Sequence, residues 1–370
     1  MRISVLKETA DNERRVALLP DSVGKLLKAG AQVVVEQGAG VTAGAADAAY
    51  ASAGAALAAD TRSACAQADA VVKVQPPTAE EATLLPPGSV LVCLLPIAEH
   101  GDLLRQLAER QVTALALERV PRITRAQSMD VLSSQATISG YKAVLLGATA
   151  LPRMLPMMTT AAGNFPPAKA FVLGAGVAGL QAIATARRLG AVVSAFDVRA
   201  AAREQVQSLG ATFVAAEIAS AAAEDKGGYA KAQTESDRES TLALLDAQLR
   251  EQDLVVATAA IPGRRAPLLI TAEMVARMKA GAVIVDLAVE TGGNCELTRP
   301  GETVRAHGVT ILGPLNLPST APVHASQMFN RNVFTLLEYL LRDGKLVIDL
   351  ADEITAAMAV THAGQVRAPV

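Results

Sequence analysis

The feature that most constrains this chain is a glycine turn placed between an apolar strand and a helix. The apolar run Lys169–Leu173 leads into Gly174-Ala175-Gly176-Val177-Ala178-Gly179, and a helical pattern continues to Leu189. In a G-x-G-x-x-G turn the first glycine permits the sharp bend and the second lets the backbone approach a pyrophosphate. The third lets the helix pack close to the sheet. The free N–H groups at the N-terminus of the helix favour phosphate, so Gly174, Gly176, Val177 and Gly179 predict a dinucleotide site.

The residues after the next predicted strand refine this hypothesis. The run Val192–Phe196 ends in Asp197-Val198-Arg199. An acidic side chain at this place accepts hydrogen bonds from the adenosine ribose and repels a 2′-phosphate, which favours NAD over NADP. Arg199 acts in the other direction, since an arginine here can bind a 2′-phosphate. A tight turn that binds no ligand is the alternative explanation of the glycine pattern.

Alternating strand and helix patterns cover most of the remaining chain. They predict an α/β protein with two Rossmann-like, doubly wound parallel sheets, because strands that alternate with helices pair in parallel. The turn-rich stretch around Gly163–Pro167 indicates a crossing between domains, and the helical pattern Phe329–Leu341 indicates a return. We therefore predict a first domain over 1–135 plus 316–370, an NAD-binding domain over 136–315 and a cleft between them, where ligands tend to bind.

Two further segments of the second domain attract attention. Thr258 and Ala259 follow the buried strand Leu254–Ala257, at the sheet edge where this fold binds ligands. The polar stretch Ile218–Asp237 interrupts the pattern, and long irregular segments inside a domain are often functional, although a tolerated surface insertion is the alternative. Asp286, at the end of another strand, has two explanations, a ligand contact and a structural cap.

Composition excludes several classes of function. The net charge is -2 and aromatic residues make up 3% of the chain, which does not fit a nucleic-acid surface. The three cysteines are far apart, have no metal-binding spacing and suggest a reducing compartment; Cys93 is predicted to lie in the core. The most apolar stretch, 170–186, is explained by the strand, turn and helix described above, so we expect a soluble protein with no signal peptide.

The reacting partner of the cofactor is less evident. Most nicotinamide dehydrogenases need a proton donor, and of the four histidines only His324 is expected near the cleft. The segment Arg122–Ser133 is rich in hydrogen-bonding groups and precedes a helix predicted from near Ser128 to Leu146. Gln127, Asp130 and Ser133 are spaced by three, so on a helical turn they share a face. They could hold a carboxamide and a ribose. The alternative is an ordinary helix N-terminus that is capped by Thr124, Ser128 or Asp130.

Four segments give the chain a family resemblance. It resembles the NAD(H)-binding component of proton-translocating NAD(P) transhydrogenases over nearly its whole length, in Pro121–Ser133, Leu173–Arg199, Gly227–Lys231 and Asp286–Cys295. The resemblance implies that Gln127, Asp130 and Ser133 contact the nicotinamide and its ribose, and that Arg122 faces NADP on a partner. It also implies that Gly228 and Tyr229 belong to a loop that closes over the nucleotide.

The resemblance also implies an assembly. Hydride would pass directly from NADH to NADP on a partner subunit, coupled to proton translocation by a membrane-spanning subunit. The chain ends at Val370 without a spanning segment, so it looks like the separate first portion of a split alpha subunit. It would be a homodimer, cytoplasmic and peripheral on the inner face of the membrane through its partners.

A second relative leaves an alternative open. The same family is similar to alanine dehydrogenase, in which the positions of Arg15 and Lys73 hold pyruvate. The catalytic histidine of that relative would fall at or close to Leu94, and its aspartate near Glu290. Loss of the proton donor disfavours amino-acid oxidation but leaves transfer between two nicotinamides unharmed, because such transfer needs no acid or base. An amino-acid dehydrogenase and a non-catalytic NAD sensor remain the rival hypotheses.

Overall fold

A computed structural model describes residues 1–214, 235–261 and 264–367 of the chain. Two compact units divide it: Met1–Gln135 with Pro318–Val370, and Ala136–Leu317. We call them unit 1 and unit 2. Each has its own sheet and its own core.

Short strands alternate with helices along the described chain. The strands are β1 (Arg2–Val5), β2 (Gln32–Glu36), β3 (Ala56–Ala58), β4 (Ala70–Val72), β5 (Val90–Cys93), β6 (Thr113–Ala116), β7 (Met158–Thr160), β8 (Gly163–Phe165), β9 (Lys169–Leu173), β10 (Val192–Phe196), β11 (Thr212–Val214), β12 (Leu254–Ala257), β13 (Val283–Asp286), β14 (Thr303–Ala306), β15 (Val309–Leu312), β16 (Leu341–Arg342), β17 (Lys345–Leu346), β18 (Ala359–His362) and β19 (Gln365–Val366). The helices are α1 (Pro20–Lys28), α2 (Asp47–Ser52), α3 (Thr61–Cys65), α4 (Ala79–Leu84), α5 (Gly101–Glu109), α6 (Val131–Ala150), α7 (Val177–Arg188), α8 (Ala202–Ser208), α9 (Glu235–Leu249), α10 (Ala272–Ala276), α11 (Pro322–Leu340) and α12 (Glu353–Met358).

The sheet of unit 1 has the strand order β19-β18-β6-β5-β4-β1-β2-β3 among the described residues. Strands β1 to β6 pair in parallel, as the alternating pattern predicts. One edge of this sheet is antiparallel, since β18 runs antiparallel to β6 and β19 antiparallel to β18. The chain reverses there in a tight turn at Ala363 and Gly364, both of which have positive φ.

The sheet of unit 2 has the order β11-β10-β9-β12-β13-β15-β14 in the described part of the chain. Its first strand, β9, lies next to β12, so the strand order reverses direction there. Ligands of doubly wound folds bind at the carboxyl end of strands at such a switch point. The final pair departs from the parallel pattern, since β14 runs antiparallel to β15. The α/β class with two predominantly parallel sheets is therefore confirmed.

The central strands of both sheets are buried on both faces. Alternate residues of one strand enter different cores: Val72 packs into one core of unit 1 and Val71 into the other, and Val172 and Phe171 do the same in unit 2. Burial of both faces explains why the strands read as continuous apolar runs. Cys93 is 1% exposed, so its predicted core position is confirmed.

Helix α6 packs closely within unit 2 through two glycines. A Cβ atom built on Gly140 would lie 2.1 Å from the carbonyl oxygen of Ala178, and one on Gly147 would lie 2.5 Å from Leu254 Cδ1. The helix therefore contacts the start of α7 closely. Although α6 has 20 residues, no helix in the described ranges is long and apolar enough to cross a membrane.

Candidate functional site

The glycine turn of unit 2 has the backbone geometry that the sequence predicts. Gly174 has φ +91°, a conformation that side chains with a Cβ rarely adopt, and its N–H donates to Phe196 O at 2.8 Å. A Cβ on Gly179 would lie 1.8 Å from Gly174 O, so the helix and the turn touch at this point. A Cβ on Gly176 would meet no atom within 4 Å. That empty space lies at the N-terminus of α7, where no side chain caps the helix.

Thr258 fastens the turn to the neighbouring strand. Its Oγ1 donates to Gly174 O at 2.9 Å and to Leu173 O at 3.1 Å. Its backbone N–H donates to Leu173 O at 2.7 Å. The structure thus brings Thr258 and the glycine turn together at the switch point of the sheet.

A buried asparagine, which sequence reasoning did not identify, holds the next residue of the same loop. Asn294 Oδ1 accepts from Ala259 N–H at 3.0 Å, and its Nδ2 donates to Ala259 O and Pro267 O at 2.8 Å. Both polar groups of the Ala259 backbone are therefore bound by one side chain. Asn294 is 0% exposed, so these bonds are made away from water.

Asp286 is a structural cap of the segment that carries Asn294. Its Oδ1 accepts from Ala288 N–H, and its Oδ2 accepts from the N–H groups of Asn294 and Cys295 and from Thr298 Oγ1, all within 3.0 Å. Burial raises the pKa of the Asp286 carboxyl, and these hydrogen bonds oppose that rise. Of the two explanations that the sequence left open, the described contacts fit the cap.

Asp197 lies beside the turn, as predicted, and is almost completely buried. Its Oδ2 accepts from Ala175 N–H at 2.7 Å, and Arg199 donates to both carboxylate oxygens at 2.9 Å. Val198 is half-buried against the core on that side of the sheet. Val177, the first residue of α7, is 40% exposed. Gly228 and Tyr229 lie outside the described residues, as does most of Ile218–Asp237.

The polar segment of unit 1 has two helical pieces instead of one. A 3-10 helix spans Thr124–Met129 and α6 begins at Val131, so the prediction of one helix from near Ser128 is wrong at its start. Asp130 breaks the helix with ψ 92°, and its carboxylate accepts from Ser133 N–H at 2.9 Å and Ser133 Oγ at 2.6 Å. Asp130 and Ser133 are thus brought together. Gln127 is exposed on the separate 3-10 helix, and its backbone carbonyl oxygen accepts from Asp130 N–H at 3.3 Å. The shared role of Gln127, Asp130 and Ser133 stays a prediction.

A second asparagine holds this segment from α11. Asn332 Nδ2 donates to Ser128 O at 2.8 Å, and its Oδ1 accepts from Ser134 Oγ at 2.7 Å. One buried side chain therefore ties the 3-10 helix to the first turn of α6. Ala126 and Met129 anchor the same segment in the core of unit 1, while Arg122 is exposed.

The residues that match the pyruvate site of alanine dehydrogenase are buried and already paired. Arg15 donates to both carboxylate oxygens of Glu13 at 2.9 and 2.7 Å and to Gln135 Oε1 at 2.9 Å. Burial opposes ionisation of Glu13, yet the hydrogen bonds from Arg15 outweigh it and lower the Glu13 pKa to about 2. Lys73 Nζ lies 2.6 Å from Glu81 Oε2. Each cation is thus neutralised within the chain.

The remaining candidates make none of the hydrogen bonds described for these clusters. Glu290 is exposed and its Oε1 accepts from Asn316 N–H at 2.8 Å. His324 is an exposed residue in the first turn of α11, and Leu94 is partly buried against the core of unit 1. None of these three contributes to the contacts described above.

Comparison with known proteins agrees with these features. The sequence model of the alanine dehydrogenase/PNT N-terminal domain matches residues 4–139, and the model of the C-terminal domain of the same family matches residues 143–369. The chain belongs to the alanine dehydrogenase/PNT family. The resemblance found in the sequence is therefore confirmed.

Within the alanine dehydrogenase/PNT family the chain has relatives of both kinds. It is 48% identical to the first portion of the NAD(P) transhydrogenase alpha subunit of Rhodospirillum rubrum, over 100% of this chain and 98% of that protein. A crystal structure of transhydrogenase from Sinorhizobium meliloti is 44% identical, covers 99% of this chain and 100% of that chain, and has a TM-score of 0.89. Alanine dehydrogenase of Bacillus subtilis is 32% identical over 87% of this chain and 81% of that protein.

Proposed function

We propose that this chain is the NAD(H)-binding component of a proton-translocating NAD(P) transhydrogenase, in which hydride passes from NADH to NADP on a partner subunit. The observation that carries the proposal is the match to the Rhodospirillum rubrum alpha-subunit protein, which extends over 98% of that relative's length. A match of this extent fits the same role, because it covers both units.

The glycine turn of unit 2 fits a dinucleotide. The open space at Gly176 is of the kind that a pyrophosphate fills, and the uncapped N-terminus of α7 offers N–H donors to it. In this proposal Thr258 and Ala259 border the cofactor, because they lie at the switch point. Asp197 then binds the adenosine ribose, which favours NAD over NADP.

The segment Arg122–Ser133 supplies the second element of the proposal. Bound NADH carries the hydride that is transferred at its nicotinamide ring. We assign Asp130 and Ser133, which form one hydrogen-bonded pair, to the nicotinamide and its ribose. Gln127 is assigned to the nicotinamide together with them. Arg122 is exposed, which suits contact with NADP on a partner. These residues orient the rings, and orientation supplies much of the rate.

The similarity to alanine dehydrogenase supports a second candidate, an amino-acid dehydrogenase. Two features of the chain oppose it. Leu94 stands at or close to the place of the histidine of that relative, so a proton donor is lost there. Arg15 and Lys73 hold carboxylates of their own chain at 2.7 and 2.6 Å, and a keto acid would have to displace them.

The assembly follows from the same proposal. The partners would be membrane-spanning and NADP-binding subunits, which would keep this chain peripheral on the cytoplasmic face of the membrane. The hairpin β7–β8 and the residue before it carry exposed apolar side chains, since Met157, just before β7, is 67% exposed and Phe165, on β8, is 46% exposed. A two-stranded sheet is marginally stable in water, and we assign this surface to the homodimer. Phe165→Asp should then convert a dimer to a monomer in light scattering.

One experiment separates the proposal from its rivals. The purified chain is titrated with NADH by fluorescence and then incubated with NADH, pyruvate and ammonium. We expect NADH binding without oxidation of NADH, since the isolated component holds no acceptor. Rapid oxidation with pyruvate would establish the amino-acid dehydrogenase instead. A chain that binds NADH yet transfers no hydride with any partner subunit would be a sensor.

A further inference from the structure

Both oxygens of the Asp197 carboxylate already accept hydrogen bonds from donors of this chain. Oδ1 accepts from Arg199 N–H at 2.8 Å and from Arg199 Nε at 2.9 Å. Oδ2 accepts from Ala175 N–H at 2.7 Å and from Arg199 Nη2 at 2.9 Å. A carboxylate offers about four acceptor positions. Two donors on each oxygen therefore leave no position for a ribose hydroxyl.

The four donors differ in how easily they can move away from the Asp197 carboxylate. Two are backbone N–H groups of the glycine turn and of the residues after β10, and they are held by the fold. The other two belong to one side chain, which is 20% exposed whereas the side chain of Asp197 is 7% exposed. A swing of the Arg199 guanidinium frees one acceptor position on each oxygen, which suits the two adjacent hydroxyls of a ribose.

We propose that Arg199 is a specificity-determining residue that competes with the adenosine ribose for Asp197, an inference that rests on the proposed function. Its two charge-assisted bonds must break before the ribose binds, which weakens NADH binding. Its positive charge also neutralises the carboxylate that repels a 2′-phosphate. Arg199 thus lowers both the affinity for NADH and the discrimination against NADPH.

The test replaces Arg199 with methionine, which keeps an extended, unbranched side chain and removes its donors. Dissociation constants of the full chain for NADH and NADPH are measured by fluorescence titration. We expect Arg199→Met to bind NADH more tightly by roughly three- to tenfold, and NADPH more weakly, since each tenfold change corresponds to the energy of about one hydrogen bond to a charged group.

A matched control removes a nearby positive charge that does not touch Asp197. The guanidinium of Arg203 lies 5.2 Å from the ring centroid of Phe213. Because Arg203 contacts this ring and has no hydrogen bond to Asp197, Arg203→Met should leave the ratio of the Kd for NADPH to the Kd for NADH unchanged. Arg199→Lys keeps the charge without the planar fork and should give a smaller gain for NADH, which also covers the case in which Arg199→Met does not fold.

The outcomes distinguish the inference from the function on which it rests. In an Asp197→Asn background the gain from Arg199→Met should disappear, because there is no charge to release. Weaker NADH binding by Asp197→Asn would show that the carboxylate contributes to NADH binding. If Arg199→Met then also weakens NADH binding or leaves it unchanged, Arg199 remains bound to Asp197 in the complex and the inference is wrong. If the unaltered chain binds no NADH, the proposed function itself fails.

Discussion

Gly179 and Gly176 belong to the same turn, but the first is tightly packed and the second faces open space. Single substitutions at these two residues can therefore test the stability of the turn and its ligand binding separately. We predict that Gly179→Ala lowers the free energy of unfolding by at least ~2 kcal/mol, because its Cβ would overlap Gly174 O at 1.8 Å. Gly176→Ala should leave stability unchanged, since its Cβ meets nothing within 4 Å. It should raise the Kd for NADH at least roughly tenfold by filling the pyrophosphate space.

Thermal unfolding and NADH titration measure the two effects, and each variant serves as the control of the other. If Gly176→Ala bound NADH normally, the space beside it would not hold the pyrophosphate. If Gly179→Ala were as stable as the parent chain, the close contact between turn and helix would be absent in solution.

Glu8 gives unit 1 a specific pH dependence. Its carboxylate accepts from Val74 N–H at 2.6 Å and Gln75 N–H at 3.2 Å, and burial raises its pKa from 4.5 to about 7. The folded chain therefore binds a proton more tightly than the unfolded chain, so this group lowers stability as the pH rises from about 4.5 to 7. We predict that Glu8→Gln removes the contribution of this group to the loss of stability with rising pH.

The measurement compares Tm at pH 5.5 and pH 8 for the parent chain, for Glu8→Gln and for a control at the exposed Glu109. The difference between the two pH values should shrink in Glu8→Gln and stay unchanged in Glu109→Gln. An equal pH dependence in all three chains would mean that Glu8 titrates normally in the folded protein.

At the scale of elements, one buried asparagine in each unit holds a segment to which we assign a function. Asn294 binds the backbone of Ala259 in unit 2, and Asn332 ties Ser128 to Ser134 in unit 1. The loop at Ala259 and the junction between the 3-10 helix and α6 interrupt regular secondary structure, so polar groups there need partners from another element. The two side chains supply them at positions far along the chain.

We predict that the two asparagines affect different steps. Asn294→Ala should weaken NADH binding, because the backbone loses two hydrogen bonds to the side chain at Ala259 and one at Pro267. Asn332→Ala should leave NADH affinity nearly intact and slow hydride transfer in the reconstituted complex, since it loosens the segment that carries Gln127 and Asp130. If both variants changed the same quantity, the division of roles between the two segments would be wrong.

A feature can be predicted from the sequence when neighbouring residues determine it, and not when residues far along the chain determine it. The turn at Gly174 and the strand before it follow from a backbone requirement and an apolar run, both readable over a few residues. The sequence places the start of α6 near Ser128 and the structure places it at Val131, because Thr124, Ser128 and Asp130 are all possible caps and the sequence alone does not select Asp130. Asn294 and Asn332 could not be found from sequence, because an amide has a role only through partners that the fold brings to it. The antiparallel β18 depends likewise on where the chain returns.

At the scale of the whole molecule, sequence similarity and the surroundings of single residues favour the same function. Both domain models of the alanine dehydrogenase/PNT family match along the chain. Yet the cations Arg15 and Lys73 are paired within unit 1, which disfavours a small keto acid as substrate. The central claim is therefore that the acceptor of the hydride is a second nucleotide on another subunit.

The most direct test follows an isotope. The chain is combined with its membrane-spanning and NADP-binding partner subunits, supplied with NADH deuterated at both C4 positions and with NADP, and the NADPH formed is analysed by mass spectrometry. Our account predicts NADPH that carries one deuterium from NADH, formed only when the chain is present and more slowly with Gln127→Asn. NADPH without deuterium, or no NADPH while the chain alone oxidises NADH with pyruvate and ammonium, would contradict it.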